Sequence, residues 1–248
     1  MTPTTASPYE QRLAAHPRHA LYWALLAPFL YQAIFVAIVS LVWPGISEVY
    51  LDNTPDALKR QWLFATLIQS LLLIRMTQWA EREGLGPFAG AVRVSSNWIS
   101  ASIVLGPVIL IGSGALVGYI LAGGDTNWAY REDANTDVLG PDGFGLMMMV
   151  YVILLAPLIE EISYRGIGIG CLLGRGVDPR LAVLITTAGF TLLHAQYTPL
   201  GLIPIFITGL FLGWLRVASG SITAPILAHM SANTVVILTM VQQMQSGH

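Results

Sequence analysis

Charge is what this sequence has least of. Of its 248 residues, 12 are Lys or Arg and 14 are Asp or Glu, 10% in all, while 54% are apolar. A water-soluble domain carries about 25% charged residues. With a mean hydropathy of +0.64 on top of that deficit, an ordinary soluble enzyme is excluded and an integral membrane protein is implied. A basic excess is missing as well. The formal net charge of −2 supplies no field to hold a nucleic-acid backbone, so nucleic acid is excluded as a partner. The single cysteine, Cys171, can close no internal disulfide and build no thiolate metal cluster. No signal peptide is read, because residues 1–19 are polar and the apolar run after them is far longer than a secretory apolar region. There is also no fixed-period repeat, low-complexity tract or long linker, so the chain reads as one membrane domain.

What is present is a series of apolar runs. A helix needs about 20 apolar residues to cross a hydrocarbon layer roughly 30 Å thick. Seven runs approach that length: Ala20 to Trp43, Trp62 to Trp79, Trp98 to Ala122, Phe144 to Leu173, Leu181 to Tyr197, Leu200 to Ala218 and Ile222 to Val241. The expected fold is therefore all-α, a polytopic bundle of about seven membrane helices, with eight as the alternative count. Trp43, Trp62, Trp79 and Trp98 stand at run ends, where interfacial aromatics belong. Basic residues are retained on the cytoplasmic side. An inner amino terminus puts Arg12, Arg18, Arg75, Arg82, Arg93, Arg175, Arg180 and Arg216 inside, against Lys59, Arg60 and Arg131 outside. The expected organisation is a cytoplasmic polar tail over 1–19, amino-terminal membrane helices with an outer acidic loop over 20–143, a membrane core over 144–241 and a short tail over 242–248. The acidic loop holds Asp125, Glu132, Asp133, Asp137 and Asp142 and reads as solvated. The pairs Gly114/Gly118, Gly170/Gly174 and Gly209/Gly213 have the spacing that lets helices approach closely in lipid. Gly166, Gly168 and Gly170 follow no strand and lack the third glycine of a dinucleotide loop.

Ionisable residues inside apolar runs are functional candidates, since a charge near the bilayer centre costs at least about 2.5 kcal/mol. The fourth run contains Glu160, Glu161 and Arg165, the fifth His194, and the seventh His229 and Asn233. Residues four apart share a helix face, so Glu161 sits over Arg165, Glu160 points about 100° away, and His229 and Asn233 lie together, able to donate to one point as an oxyanion site requires. A rise of about 1.5 Å per residue puts Glu160, His194 and Asn233 about 20 Å from the presumed cytoplasmic ends of their helices and His229 about 14 Å. Pro157 and Pro225 are expected to kink two of these helices and free backbone carbonyls. The side chains are those needed to activate water and stabilise an oxyanion. Ser163 has no identifiable base, which makes a covalent serine mechanism the weaker reading. A zinc site built from the two histidines and a glutamate stays open as a minor option, although the compact HExxH signature is absent. The bland alternative is a buried ion-pair network that fixes helix packing.

The ordered motifs EEISYR from Glu160 to Arg165, FTLLH from Phe190 to His194 and HMSAN from His229 to Asn233 resemble the EExxxR, FxxxH and HxxxN pattern of the CAAX protease and bacteriocin-processing family, which includes the type II CAAX prenyl endopeptidases. The segment GSITAPILAH from Gly220 to His229 extends the likeness, which spans about residues 144 to 241 and leaves the first three helices uncovered. The resemblance implies an intramembrane glutamate endopeptidase without a metal cofactor. In it Glu160 would be the general base, His194 would help hold the water, His229 and Asn233 would stabilise the oxyanion, and Glu161 and Arg165 would support the site. Its partners would be membrane lipid and a peptide or lipidated protein substrate. Its place would be the plasma membrane of a prokaryote, with the site open toward the cytoplasm. A non-proteolytic scaffold, regulator or self-immunity protein of the same fold is the alternative. A transporter is less well supported, because no pair of interrupted helices marks inverted repeats.

Overall fold

The structure is a computed structural model that describes residues 6–42, 55–86, 92–123, 143–194 and 197–246. Trp43, Arg131 and the acidic loop residues Asp125, Glu132, Asp133, Asp137 and Asp142 lie outside these ranges. The described residues form eight helical runs and no strand. Within lipid, helices satisfy the backbone internally.

The chain opens with α1 (Pro8–Ala15), and α2 combines Pro17–Leu21, a π-helical turn Tyr22–Leu26 and Ala27–Val42. Then come α3 (Pro55–Arg82) and α4 (Ser96–Ile120). The run α5 alternates between registers: α-helical Gly143–Val150, π-helical Tyr151–Leu155, α-helical Ala156–Glu160, π-helical Glu161–Ile169 and α-helical Gly170–Gly174. It is followed by α6 (Pro179–Leu192), α7 (Leu202–Ser219) and α8 (Thr223–Ser246).

Among the described residues, four helices are long and apolar enough to cross a membrane: Ser96–Ile120, Gly145–Gly174, Leu202–Ser219 and Thr223–Gln242. The protein is thus an integral membrane protein, and α4 shows why. Its outer face presents Val104, Val108 and Leu116 with more than half of each side chain uncovered, a surface that suits lipid and not water. The expected count of seven spans is not reached among the described residues. The fifth run was expected to continue to Tyr197, but α6 ends at Leu192. Its 14 residues cover about 21 Å at 1.5 Å per residue, less than a full crossing.

Residues 8–21 are more than a polar tail. Ser7 caps α1 by accepting from the Glu10 amide (3.3 Å), and Glu10 accepts from the Ser7 amide (2.8 Å), a capping box with Pro8 at the first helical position. The docked face of α1 buries Leu13 completely. Burial also pushes the Tyr9 phenol far above its ordinary pKa. The pair Gly170/Gly174 makes room for this helix. A Cβ on Gly170 would stand 2.6 Å from Leu13 Cδ1, and one on Gly174 would run into the Glu10 carbonyl. Glu10 Oε1 also meets Arg216 Nη2 of α7 at 3.3 Å. Gly209 and Gly213 seat α7 against Thr187 and Val183 of α6, whereas a Cβ on Gly114 would have nothing within 4 Å. The main core joins Leu13, Trp23, Leu72, Met76, Ile159, Ile162, Ile167 and Ile222, so the amino-terminal helices pack on the motif-bearing run.

Candidate active site

The break in α5 begins with a missing hydrogen. In the π-helical turn Tyr151–Leu155 the Ala156 amide donates to the Tyr151 carbonyl, five residues back. The next donor in that register would be residue 157, directed at Val152, and Pro157 has no N–H. Asn233 of α8 supplies the replacement, its Nδ2 donating to the Val152 carbonyl at 2.8 Å. One amide hydrogen of Asn233 is thereby committed and the other is left for a second acceptor.

The next stretch, Glu161–Ile169, is π-helical and wholly buried. π-Helical segments in longer helices are frequent at functional sites. Arg165 Nη1 lies 3.1 Å from Glu161 Oε1, both side chains being fully buried. Arg165 Nη2 donates to the Gly209 carbonyl at 3.1 Å, and its guanidinium carbon stands 4.4 Å from the centre of the Phe190 ring. One arginine thus ties α5 to α7 by a hydrogen bond and to α6 by a cation–π contact. The same Glu161 oxygen meets His229 Nδ1 at 2.9 Å. A carboxylate only accepts, so the proton of this bond is on Nδ1 and Nε2 faces the other way. There it stands 3.8 Å from Glu160 Oε2. Glu160 is 21% exposed where Glu161 is 0%.

His194 is held by its own helix end. The residue 194 amide turns to the Thr191 carbonyl instead of Phe190, and His194 Nδ1 lies 2.9 Å from the carbonyl so released. That bond also fixes the proton on Nδ1 and leaves Nε2 with its lone pair. The Phe190 ring sits between the two imidazoles, 4.7 Å from His194 and 5.9 Å from His229, centre to centre.

The structure therefore gathers Glu160, Glu161, Arg165 and His229 into one ionic cluster, places His194 across Phe190 from it, and turns Asn233 toward α5. Ser163 is fully buried with Oγ 3.6 Å from Met76 Sδ, which offers it no base. Among the described residues, His16, His19 and Glu83 present ligand atoms close enough together to hold a metal. Sequence reasoning passed over the Val152 and Gly209 carbonyls, which carry no side-chain signal; Pro157 was the one trace of the first.

Residues 142–235 match the type II CAAX prenyl endopeptidase Rce1-like family. This Rce1-like segment contains every residue of the cluster and runs from the start of α5 into α8. An uncharacterized 24.3 kDa protein of Escherichia coli is 35% identical over 95 residues, which are 38% of this chain and 44% of that protein. The chain thus matches less than half the length of that relative. No solved structure matches it.

Proposed function

We propose that this protein is an intramembrane endopeptidase that hydrolyses a peptide bond in a membrane-associated or prenylated peptide or protein, with water activated by Glu160. The observation that carries this reading is the unequal setting of two adjacent carboxylates. Glu161 is fully buried and shares one oxygen between Arg165 and His229, while Glu160 keeps a partly open carboxylate facing His229 Nε2. The first suits support, the second proton transfer. Depth and the Rce1-like match both favour catalysis over a purely structural ion pair.

In this mechanism a water lying between Glu160 and the substrate carbonyl gives its proton to the Glu160 carboxylate as its oxygen attacks. His194, with its Nδ1–H tied to the Phe190 carbonyl, accepts a hydrogen bond from that water at Nε2. His229 in its imidazolium form donates from Nδ1 to Glu161 and from Nε2 to the developing oxyanion, joined there by the second amide hydrogen of Asn233. Two carboxylates, one guanidinium and one imidazolium sum to zero, the balance a low-dielectric interior favours. Collapse of the tetrahedral intermediate returns the proton from Glu160 to the leaving amine, which restores the carboxylate. We assign the opening of the site to the cytoplasmic side from the distribution of arginines.

The test is cleavage of a peptide panel, including farnesylated CAAX peptides, by detergent-purified protein beside its Glu160→Gln variant, with and without a zinc chelator. Cleavage that needs Glu160 and survives chelation is the expected result. Loss on chelation moves the chemistry to zinc. Absence of cleavage by folded protein turns the reading to the scaffold or self-immunity role.

A further inference from the structure

Away from the membrane cluster, three ligand-type side chains converge where two helix ends meet. His16 stands at the corner between α1 and α2 in a non-helical conformation (φ −120°, ψ 54°) enforced by the following Pro17. Glu83 follows the last residue of α3, and the chain there closes in a Schellman turn. The Leu85 amide bonds the Ala80 carbonyl, the Gly84 amide bonds the Glu81 carbonyl, and Gly84 takes φ +65°. Leu85 is buried, and Arg12 Nη1 donates to the Gly84 carbonyl at 2.7 Å, so the Arg12 side chain ties α1 to the turn that closes α3. His16 Nε2 lies 3.1 Å from Glu83 Oε2. The His19 ring stacks on that of His16, with centres 6.3 Å apart and planes within 8°. One ligand atom from each of the three residues lies within 4.8 Å of the others.

We propose that His16, His19 and Glu83 bind one divalent transition-metal ion that staples the amino-terminal helix corner to the end of α3. Two imidazoles and a carboxylate are the donor set of three-ligand zinc sites, which leave a fourth position to water. Donors about 2.0–2.2 Å from a tetrahedral ion lie about 3.3–3.6 Å from one another. The His16–Glu83 pair is already near that separation, and His19, exposed on its helix with a ring nitrogen within 4.8 Å of both, completes the triangle by side-chain rotation. His16 and Glu83 keep 47% and 25% of their side chains exposed, so an ion reaches them from solution. The staple would act on the site from outside it, because α1 lies under the carboxyl end of α5.

The experiment is zinc titration of tag-free, chelator-stripped full-length protein in detergent, followed by metal analysis after gel filtration and by thermal unfolding with and without zinc. One equivalent is expected to be retained, with a higher unfolding temperature. Each of His16→Asn, His19→Asn and Glu83→Gln should weaken binding by more than the roughly 10–100-fold seen when outer-shell partners of a metal are lost. All three should fold without zinc, since they replace partly exposed side chains. His229→Gln should leave the zinc equivalent in place. Folded wild-type protein that retains no zinc overturns the proposal. So does zinc that survives the three outer substitutions but is lost in His229→Gln, which would assign the ion to the membrane cluster.

Discussion

Asn233→Ala removes two things at once, and Pro157 allows them to be separated. The alanine variant leaves the Val152 carbonyl without the donor it has at 2.8 Å, and it deletes the second amide hydrogen assigned to the oxyanion. Side-chain hydrogen bonds inside membrane proteins average about 0.6 kcal/mol and reach about 1.7 kcal/mol. Loss of an oxyanion donor costs about 10²–10³ in turnover. Stability should therefore fall modestly and turnover severely. Pro157→Ala restores an N–H. If the π register persists, that group reaches Val152; if the turn relaxes to α-helix, the Ala156 amide does. Either way the carbonyl regains a donor without Asn233. In the double variant the stability lost to Asn233→Ala should largely return, a coupling of about 0.6 kcal/mol or more, while turnover stays low. Thermal unfolding in detergent reads the first quantity and initial cleavage rate the second. Additive stability effects would refute the orphan-carbonyl argument. Recovery of turnover in the double variant would show that Asn233 acts only as a tether.

Replacing the two glutamates should give different phenotypes. Glu160→Gln is expected to yield folded protein without cleavage, whereas Glu161→Gln strands the fully buried Arg165 and should destabilise by about 3–5 kcal/mol, visible as a lowered unfolding temperature. Gly209→Val would press on Thr187, 2.8 Å from the first added carbon, and cover the carbonyl that Arg165 uses, so both unfolding temperature and cleavage should fall. Leu13→Ala empties a fully buried position and should cost about 2–5 kcal/mol, an effect that a solvated tail would not show.

The side-chain chemistry was legible because helical spacing alone relates residues four apart. Glu161 over Arg165 follows from the period of the helix, and the pair is present at 3.1 Å. The exchange between α and π registers in α5 was not legible, because it rests on a donor missing at Pro157 and a replacement 81 residues away. The short reach of α6 had no apolarity signal either, since Leu192 and Leu193 give no cue to stop. The docked helix α1 was readable in principle: Ser7, Pro8 and Glu10 spell a capping box, but the low charge elsewhere made these polar residues look like a tail. The meeting of His16 with Glu83 is a tertiary contact that no local pattern encodes.

Backbone carbonyls orient three of the site's side chains, and each is exposed for a different reason. Val152 is freed by the missing N–H of Pro157, Phe190 by the early end of α6, and Gly209 by the absence of a side chain that would cover it. In water such carbonyls would be solvated and would fix nothing. Inside a bundle in lipid a carbonyl without its helix donor must find another: Asn233 and His194 supply it at Val152 and Phe190, while Arg165 adds a second bond to the mid-helix carbonyl of Gly209. Each residue commits one polar atom to a carbonyl and retains another for the cluster or the substrate. Orientation and catalytic capacity thus come from the same side chain, and Pro157, Gly209 and the helix end at Leu192 belong to the site as fully as the ionisable groups do.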